Sequence, residues 1–297
     1  MTAPLSAGLW AVLATPFDDG LAVDLDSLRN EVASFTADGA DGLVALGVFG
    51  EAASLDPDEA NRVAQTVASA TDLPFVLGLS EREPGAVVAQ AQRLLAAVPR
   101  PPVALMAQIG DQDPAAAADS LERLHEATGV GILIQDYPVV SGVAVTDDQV
   151  VDIVAACPFA VGVKSETPPT SVAVAHLASR LDVPVFGGLG GVGLLDELAA
   201  GSAGAMTGFS HPAALAAVLQ AHRDGGFPAA RDAWAPWLPL ANFEGQLRVG
   251  LSIRKEVLRR RGVLATGRVR PPALHLPQPL IPLLEKHLAT LPATATD

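Results

Sequence analysis

The sequence predicts a (β/α)8 barrel with a small C-terminal helical extension. Three observations carry that expectation. Eight short apolar runs recur along the chain, each followed by a helical pattern. Their starts lie roughly 19 to 33 residues apart, the period of a βα unit. Several runs, such as GVGILI and PVALM, are apolar at nearly every position. Strands covered on both faces of a parallel sheet read this way, whereas half-exposed antiparallel strands alternate.

The expected strands are Leu9–Ala14, Gly42–Leu46, Pro74–Leu79, Pro102–Met106, Val130–Gln135, Phe159–Lys164, Pro184–Gly187 and Ala203–Thr207. The first helix follows Asp24 and Asp26 and stops at Gly39. The second opens at Asp56 and Pro57, where the missing N–H of proline costs little, and runs to Ala70. Thr146 and Thr170 read as N-caps of DDQVVDIVAA and SVAVAHLASRL. Strand then helix, eight times, is the barrel pattern. A doubly wound sheet fits less well, because no glycine-rich dinucleotide turn follows the first strand. The barrel is assigned to residues 1–225 and the extension to 226–297, with helical segments broken by Pro and Gly between about Pro228 and Leu291. The basic stretch RKEVLRRR, Arg254 to Arg261, reads as a solvated face or subunit contact rather than an anion site. The LATLPATATD tail reads as frayed.

Composition limits the function. Hydrophobic residues make up 49% and charged residues 18% of 297, as in a folded globular chain. A formal net charge of −14 repels nucleic acid and anionic membrane and makes an anionic substrate depend on local donors. The single cysteine, Cys157, allows no internal disulfide and suits a reducing cytoplasm; it reads as a small buried hydrophobe. No signal peptide or membrane span is expected. No His/Cys/Asp/Glu cluster has metal-ligand spacing, so neither a metal nor another cofactor is expected.

Lysine is rare: only Lys164, Lys255 and Lys286 occur. The latter two sit in charged helical contexts, but Lys164 ends the apolar run FAVGVK, at the strand end where barrel active sites form. Alternation points Ala160, Gly162 and Lys164 inward and Val161, Val163 and Ser165 toward the helices, leaving small neighbours beneath the amine. Desolvation favours a neutral amine, the form that attacks a carbonyl. The competing reading is a buried lysine paired to Glu166. Glu166 shares the inward parity and is a candidate general acid/base or an electrostatic partner.

AVLATPF at Ala11–Phe17, GVFGE at Gly47–Glu51, QDYP at Gln135–Pro138, VGVKSE at Val161–Glu166 and GGLGG at Gly187–Gly191 together resemble the dihydrodipicolinate synthase and N-acetylneuraminate lyase family. The resemblance covers about Leu9 to Leu291. It implies a homo-oligomeric barrel, usually a tetramer, in which Lys164 forms a Schiff base with a small 2-keto acid such as pyruvate or a 2-keto-3-deoxy sugar acid. The chemistry implied is that of an aldolase or dehydratase. Candidate catalytic residues are Lys164, Tyr137 and Glu166. Candidate substrate contacts are Val48, Phe49, Gly50, Gln135, Gly188 and Thr207.

The pattern also departs from the family. Val48 and Phe49 replace two threonines whose hydroxyls help bind the keto-acid carboxylate, leaving the backbone N–H groups of Phe49, Gly50 and Glu51 as donors. If Phe49 points inward, it fills part of the pocket. Gln135-Asp136 replaces Tyr-Asn, so the usual proton shuttle is missing; Tyr137, the only tyrosine, either projects to the mouth or packs against the turn. VVSG at Val139–Gly142 lacks the arginine expected of the synthase, and AQIGDQD lacks its tyrosine pair. Those losses argue against authentic synthase activity and leave Arg82 to meet a second carboxylate. Glu51 reads as structural. His211 reads as a helix cap that reaches toward the mouth at most. Two other functions stay open: a phosphate-handling aldolase using the GGLGGVG run, and an inactive member that binds a keto acid.

Overall fold

The computed structural model describes residues 3–292. The ends of the chain, including the last part of the LATLPATATD tail, lie outside the described residues. Eight parallel strands close on themselves in sequence order: β1 (Gly8–Val12), β2 (Gly42–Ala45), β3 (Phe75–Gly78), β4 (Ala104–Gln108), β5 (Ile132–Asp136), β6 (Ala160–Ser165), β7 (Val185–Gly187) and β8 (Gly204–Thr207). All eight overlap the expected runs. The helices between them are α1 (Leu25–Ala37), α2 (Pro57–Ala70), α3 (Pro84–Ala97), α4 (Pro114–Thr128), the short α5 (Pro138–Ser141), α6 (Asp147–Ala156), α7 (Thr170–Ala178) and α8 (Leu194–Ala199). After β8 come α9 (Pro212–Trp234), broken at Gly226, then α10 (Leu238–Glu244), α11 (Gly250–Arg260) and α12 (Ile281–Leu288).

Two apolar clusters follow from strand alternation. Trp10, Val12, Val44, Met106, Leu133 and Phe186 belong to a lumen cluster, while Leu9, Ala11, Leu43, Phe75 and Ile134 pack under the helices. Leu5 joins the lumen cluster and donates its N–H to the Val161 carbonyl at 2.9 Å, so the N-terminal segment plugs the barrel floor.

The caps show where local chemistry sets the helix starts. Asp24 accepts from the amides of Asp26 and Ser27. Asp56 with Glu59, and Thr146 with Gln149, form reciprocal capping boxes. Thr170 does not cap α7: it is the first helical residue, and its hydroxyl bonds the buried Glu197 at 2.6 Å instead.

The C-terminal helices differ most from expectation. Arg254 and Lys255 are buried rather than solvated. Lys255 Nζ pairs with Glu51, donates to the carbonyls of Thr15 at 2.7 Å and Arg268 at 3.0 Å, and lies 4.3 Å from the Phe17 ring centre. These contacts root α11 in the loops after β1 and β2, so the extension covers one side of the barrel mouth. No helix among the described residues is long and apolar enough to cross a membrane.

Glu31 of α1 is fully buried near Lys255 and accepts the Ala14 amide at 2.9 Å. Burial pushes its carboxyl up from 4.5 to about 8, against the opposing effects of the Ala14 hydrogen bond and Lys255. A raised carboxyl pKa gives stability that is complete below the unfolded value and lost as pH rises through the folded one. Wild-type stability should therefore fall between about pH 4.5 and 8. Glu31→Gln has no such proton to lose. Thermal melts should show the variant gaining on wild type toward pH 8, by a few kcal/mol at most (~1.4 per pKa unit before relaxation), with the gain gone near pH 5. Parallel pH profiles for the two proteins would rule out Glu31 as the source.

Candidate active site

Lys164 sits near the end of β6, opposite Gln135 of β5 and the lumen residue Phe186 of β7. Partners across a parallel ladder share a face, so the Lys164 side chain enters the barrel. The expected alternation beneath it fails by one residue. Pairing jumps from Ile132↔Ala160 to Leu133↔Gly162, so Ala160 packs outward and Val161 joins the lumen. This bulge carries one extra residue, and the floor beneath the amine is Val161 as well as Gly162.

The amine is paired. Lys164 Nζ lies 3.2 Å from Glu166 Oε2, and both residues are buried. Gln135 Nε2 donates to the same carboxylate oxygen at 2.6 Å. The Leu189 amide approaches Oε1 at 3.4 Å. Gly188 leaves room for this arrangement, since a Cβ there would meet Glu166 Oε1 at 2.3 Å. Glutamine thus takes the position where the family has a tyrosine, and it orients the acid rather than moving a proton. Tyr137 is half-buried at the start of α5. Burial raises its phenol pKa, and the Glu166 charge adds to the rise, so the hydroxyl stays protonated.

More acids lie behind Glu166. Asp136 is buried, accepts the Thr167 hydroxyl at 2.7 Å, and is pushed up by burial. Glu197 is pushed up to about 7 by burial, with the Glu166 charge contributing. Burial makes these carboxyls resist ionisation, and neighbouring acids add to it.

The loop after β2 holds the other candidates. Phe49 packs on the lumen cluster, as an inward ring would. Val48 is 45% exposed and outside that cluster. Gly50 lies under the loop, its carbonyl accepting the Thr15 hydroxyl at 2.5 Å. The Glu51 amide donates to the Val48 carbonyl, which removes it as an anion donor, while those of Phe49 and Gly50 find no acceptor among the described residues. The Glu51 carboxylate pairs with Lys255 and accepts the Arg270 amide at 2.8 Å, a structural anchorage. Thr207 shares the outward face of Ala11, not the lumen; its hydroxyl accepts the Gly190 amide at 2.7 Å and pins the turn after β7.

Three further readings change. The amides of Leu189, Gly190 and Gly191 already meet Glu166, Thr207 and the Gly188 carbonyl, so the glycine run is no open phosphate cradle. His211 stands at the N-cap position of α9 without capping it. It bonds Ser210 Oγ at 2.9 Å, packs on Trp237, and is driven down to about 3 by burial. Arg82 donates to the carbonyls of Val140 and Ser141, so it braces α5. Cys157 is buried and pushed up to about 12, which suits an inert thiol.

Sequence reasoning missed Arg254. Its guanidinium carbon lies 4.3 Å over the Phe49 ring, and its Nε donates to the buried Glu244 at 3.0 Å. Ser210 also donates to Glu244, through both its amide and its hydroxyl. The signal was hidden because a run of arginines reads as solvent-facing, and Glu244, ten residues away, does not announce itself as a buried partner.

Known proteins give the context of this geometry. Residues 5–74 match the model of the Dihydrodipicolinate synthetase family. The L-2-keto-3-deoxyarabonate dehydratase of Azospirillum brasilense is 28% identical over 281 residues, covering 91% of this chain and 89% of that protein. The 4-hydroxy-tetrahydrodipicolinate synthase of Kineococcus radiotolerans is 28% identical over 275 residues, covering 91% and 88%. The crystal structure of dihydrodipicolinate synthase from Rhodopseudomonas palustris superposes with a TM-score of 0.88 at 28% identity, covering 97% of this chain and all of that one. With the closed barrel and the motifs at its mouth, the chain is similar to the dihydrodipicolinate synthetase family over residues 5–74 and to a dehydratase and synthases of that kind over nearly its full length.

Proposed function

We propose that the protein is a Schiff-base-forming lyase acting on a small 2-keto acid, with dehydration of a 2-keto-3-deoxy sugar acid as the reaction its site suits best. The observation that carries this reading is the buried Lys164 amine held 3.2 Å from Glu166 at the barrel mouth. In its neutral form the amine attacks the keto carbon, and Glu166 takes and returns protons as water leaves and the imine forms. The protonated imine withdraws electrons, so Glu166 can take a proton from the neighbouring carbon. In a 3-deoxy substrate the next carbon then expels its hydroxyl, which departs as water with that proton returned by Glu166, while the Tyr137 phenol is placed to hydrogen-bond the leaving oxygen. Hydrolysis of the remaining imine frees Lys164. The likeness to the Azospirillum dehydratase over nearly the full length supports this arm. The loss of the family's shuttle tyrosine, with Gln135 in its place, argues against aldehyde condensation by the usual route. A cytoplasmic homo-oligomer without a cofactor suits this chemistry.

Borohydride reduction after incubation with pyruvate, or with 2-keto-3-deoxyarabonate, should leave a reduced adduct that peptide mapping places on Lys164. No adduct with either acid, or one on another residue, overturns the reading. Lys164→Ala should lower turnover about a thousandfold or more, and Glu166→Gln about a hundredfold to ten-thousandfold. Full turnover in Lys164→Ala would end the proposal, whereas keto-acid binding by wild type with no turnover would favour an inactive binder.

Gly188→Ala offers a separate check on the carboxylate. The added methyl must displace Glu166, so kcat should fall about a hundredfold, and the melting temperature should drop as the buried Lys164–Glu166 pair is disturbed. Unchanged kcat would mean that the position of Glu166 does not matter to the reaction.

A further inference from the structure

Arg254 reaches the barrel mouth from α11, and its surroundings show what it is placed to hold. Gly208 is the first residue after β8, directly following the outward-facing Thr207. A Cβ on Gly208 would stand 2.6 Å from the Phe49 ring and 3.1 Å from Arg254 Nη1. A Cβ on Gly190 would stand 3.1 Å from Nη2. The guanidinium therefore enters through a gap left by two glycines and sits over a ring that packs against the lumen cluster. Glu244 fixes Nε, but Nη1 and Nη2 have no protein acceptor among the described residues. Arg254 is only 8% exposed. Charged donors this deeply buried ordinarily have partners.

The turn after β7 links this guanidinium to the amine. Leu189 donates to Glu166, the partner of Lys164, and the next residue, Gly190, abuts Nη2. The free amides of Phe49 and Gly50 belong to the same corner. That corner lacks the side-chain hydroxyls that Val48 and Phe49 would need to hold an anion, and the chain carries a net charge of −14.

We propose that Arg254 is the anchor for the carboxylate of the keto-acid substrate, gripping its two oxygens as a fork while the adjoining keto carbon faces Lys164. The proposal rests on the keto-acid reading above and names the group that replaces the missing hydroxyls. A guanidinium matches a planar carboxylate with two parallel N–H···O bonds. Stacking on Phe49 and the Glu244 bond hold it in one orientation before substrate arrives.

The test is equilibrium binding of pyruvate and of hydroxyacetone, the same ketone with its carboxylate replaced by a hydroxymethyl group. Both are followed by ligand-observed NMR on the intact protein. Arg254→Gln should weaken pyruvate binding about tenfold or more and leave hydroxyacetone unchanged, since a hydrogen bond between charged groups is lost for only one ligand. Arg254→Lys should recover part of the loss. Gly208→Ala should weaken pyruvate in the same direction by displacing the guanidinium, and it keeps the Glu244 pair, so it serves if Arg254→Gln folds poorly. Equal effects on the two ketones, unchanged pyruvate affinity in both Arg254→Gln and Gly208→Ala, or no pyruvate binding by wild type would overturn the proposal. Borohydride trapping is read separately. A wild-type protein that forms no adduct refutes the Schiff base, while Arg254-dependent pyruvate affinity still decides this anchor.

Discussion

Burying Lys164 and Glu166 together takes two charges out of water, which costs several kcal/mol per ion unless each finds partners. Much of the mouth is arranged around that demand. β5 supplies Gln135 to the shared oxygen. The turn after β7 brings the Leu189 amide to the other, and Gly188 keeps the approach open. Thr207 of β8 then holds the turn through the Gly190 amide. Three strands and one loop are thus fixed relative to the amine by hydrogen bonds that all lead back to one carboxylate.

A second buried charge system repeats this logic a layer out. Lys255 is enclosed by Glu51 and the carbonyls of Thr15 and Arg268, and Arg254 is held by Glu244. Removing one partner of such a pair leaves an unpaired charge in the interior, which is far more costly than losing a surface bridge. These contacts bind α11 to the loops after β1 and β2. Helices beyond the barrel therefore take part in shaping its mouth.

What could be read from the sequence depended on whether the deciding force was local. The strands were legible because parallel strands covered on both faces need continuous apolar runs, and Asp24, Asp56 and Thr146 cap their helices through neighbours two or three residues away. Lys164 stood out because its run ends a buried strand. The outward turn of Ala160 and inward turn of Val161 were not legible, since the bulge shows only in the pairing of β5 with β6. Thr170 looked like a cap, but its hydroxyl serves Glu197, 27 residues away. Arg254 and Lys255 were hidden for the same reason: their partners are assembled by the fold.

The charges at the mouth also bear on which reaction fits. Joining a keto acid to an aldehyde that carries its own carboxylate calls for two anion anchors, whereas eliminating water from one keto acid calls for one. Arg82 is committed to the carbonyls of α5, and Val139–Gly142 contains no cation. Lys255 is sealed among its own acceptors. Arg254 is the cation at this mouth whose terminal nitrogens lack a protein acceptor among the described residues. With one amine, one acid beside it and one open guanidinium, the proposed site is matched to a single anionic substrate undergoing elimination rather than to the union of two.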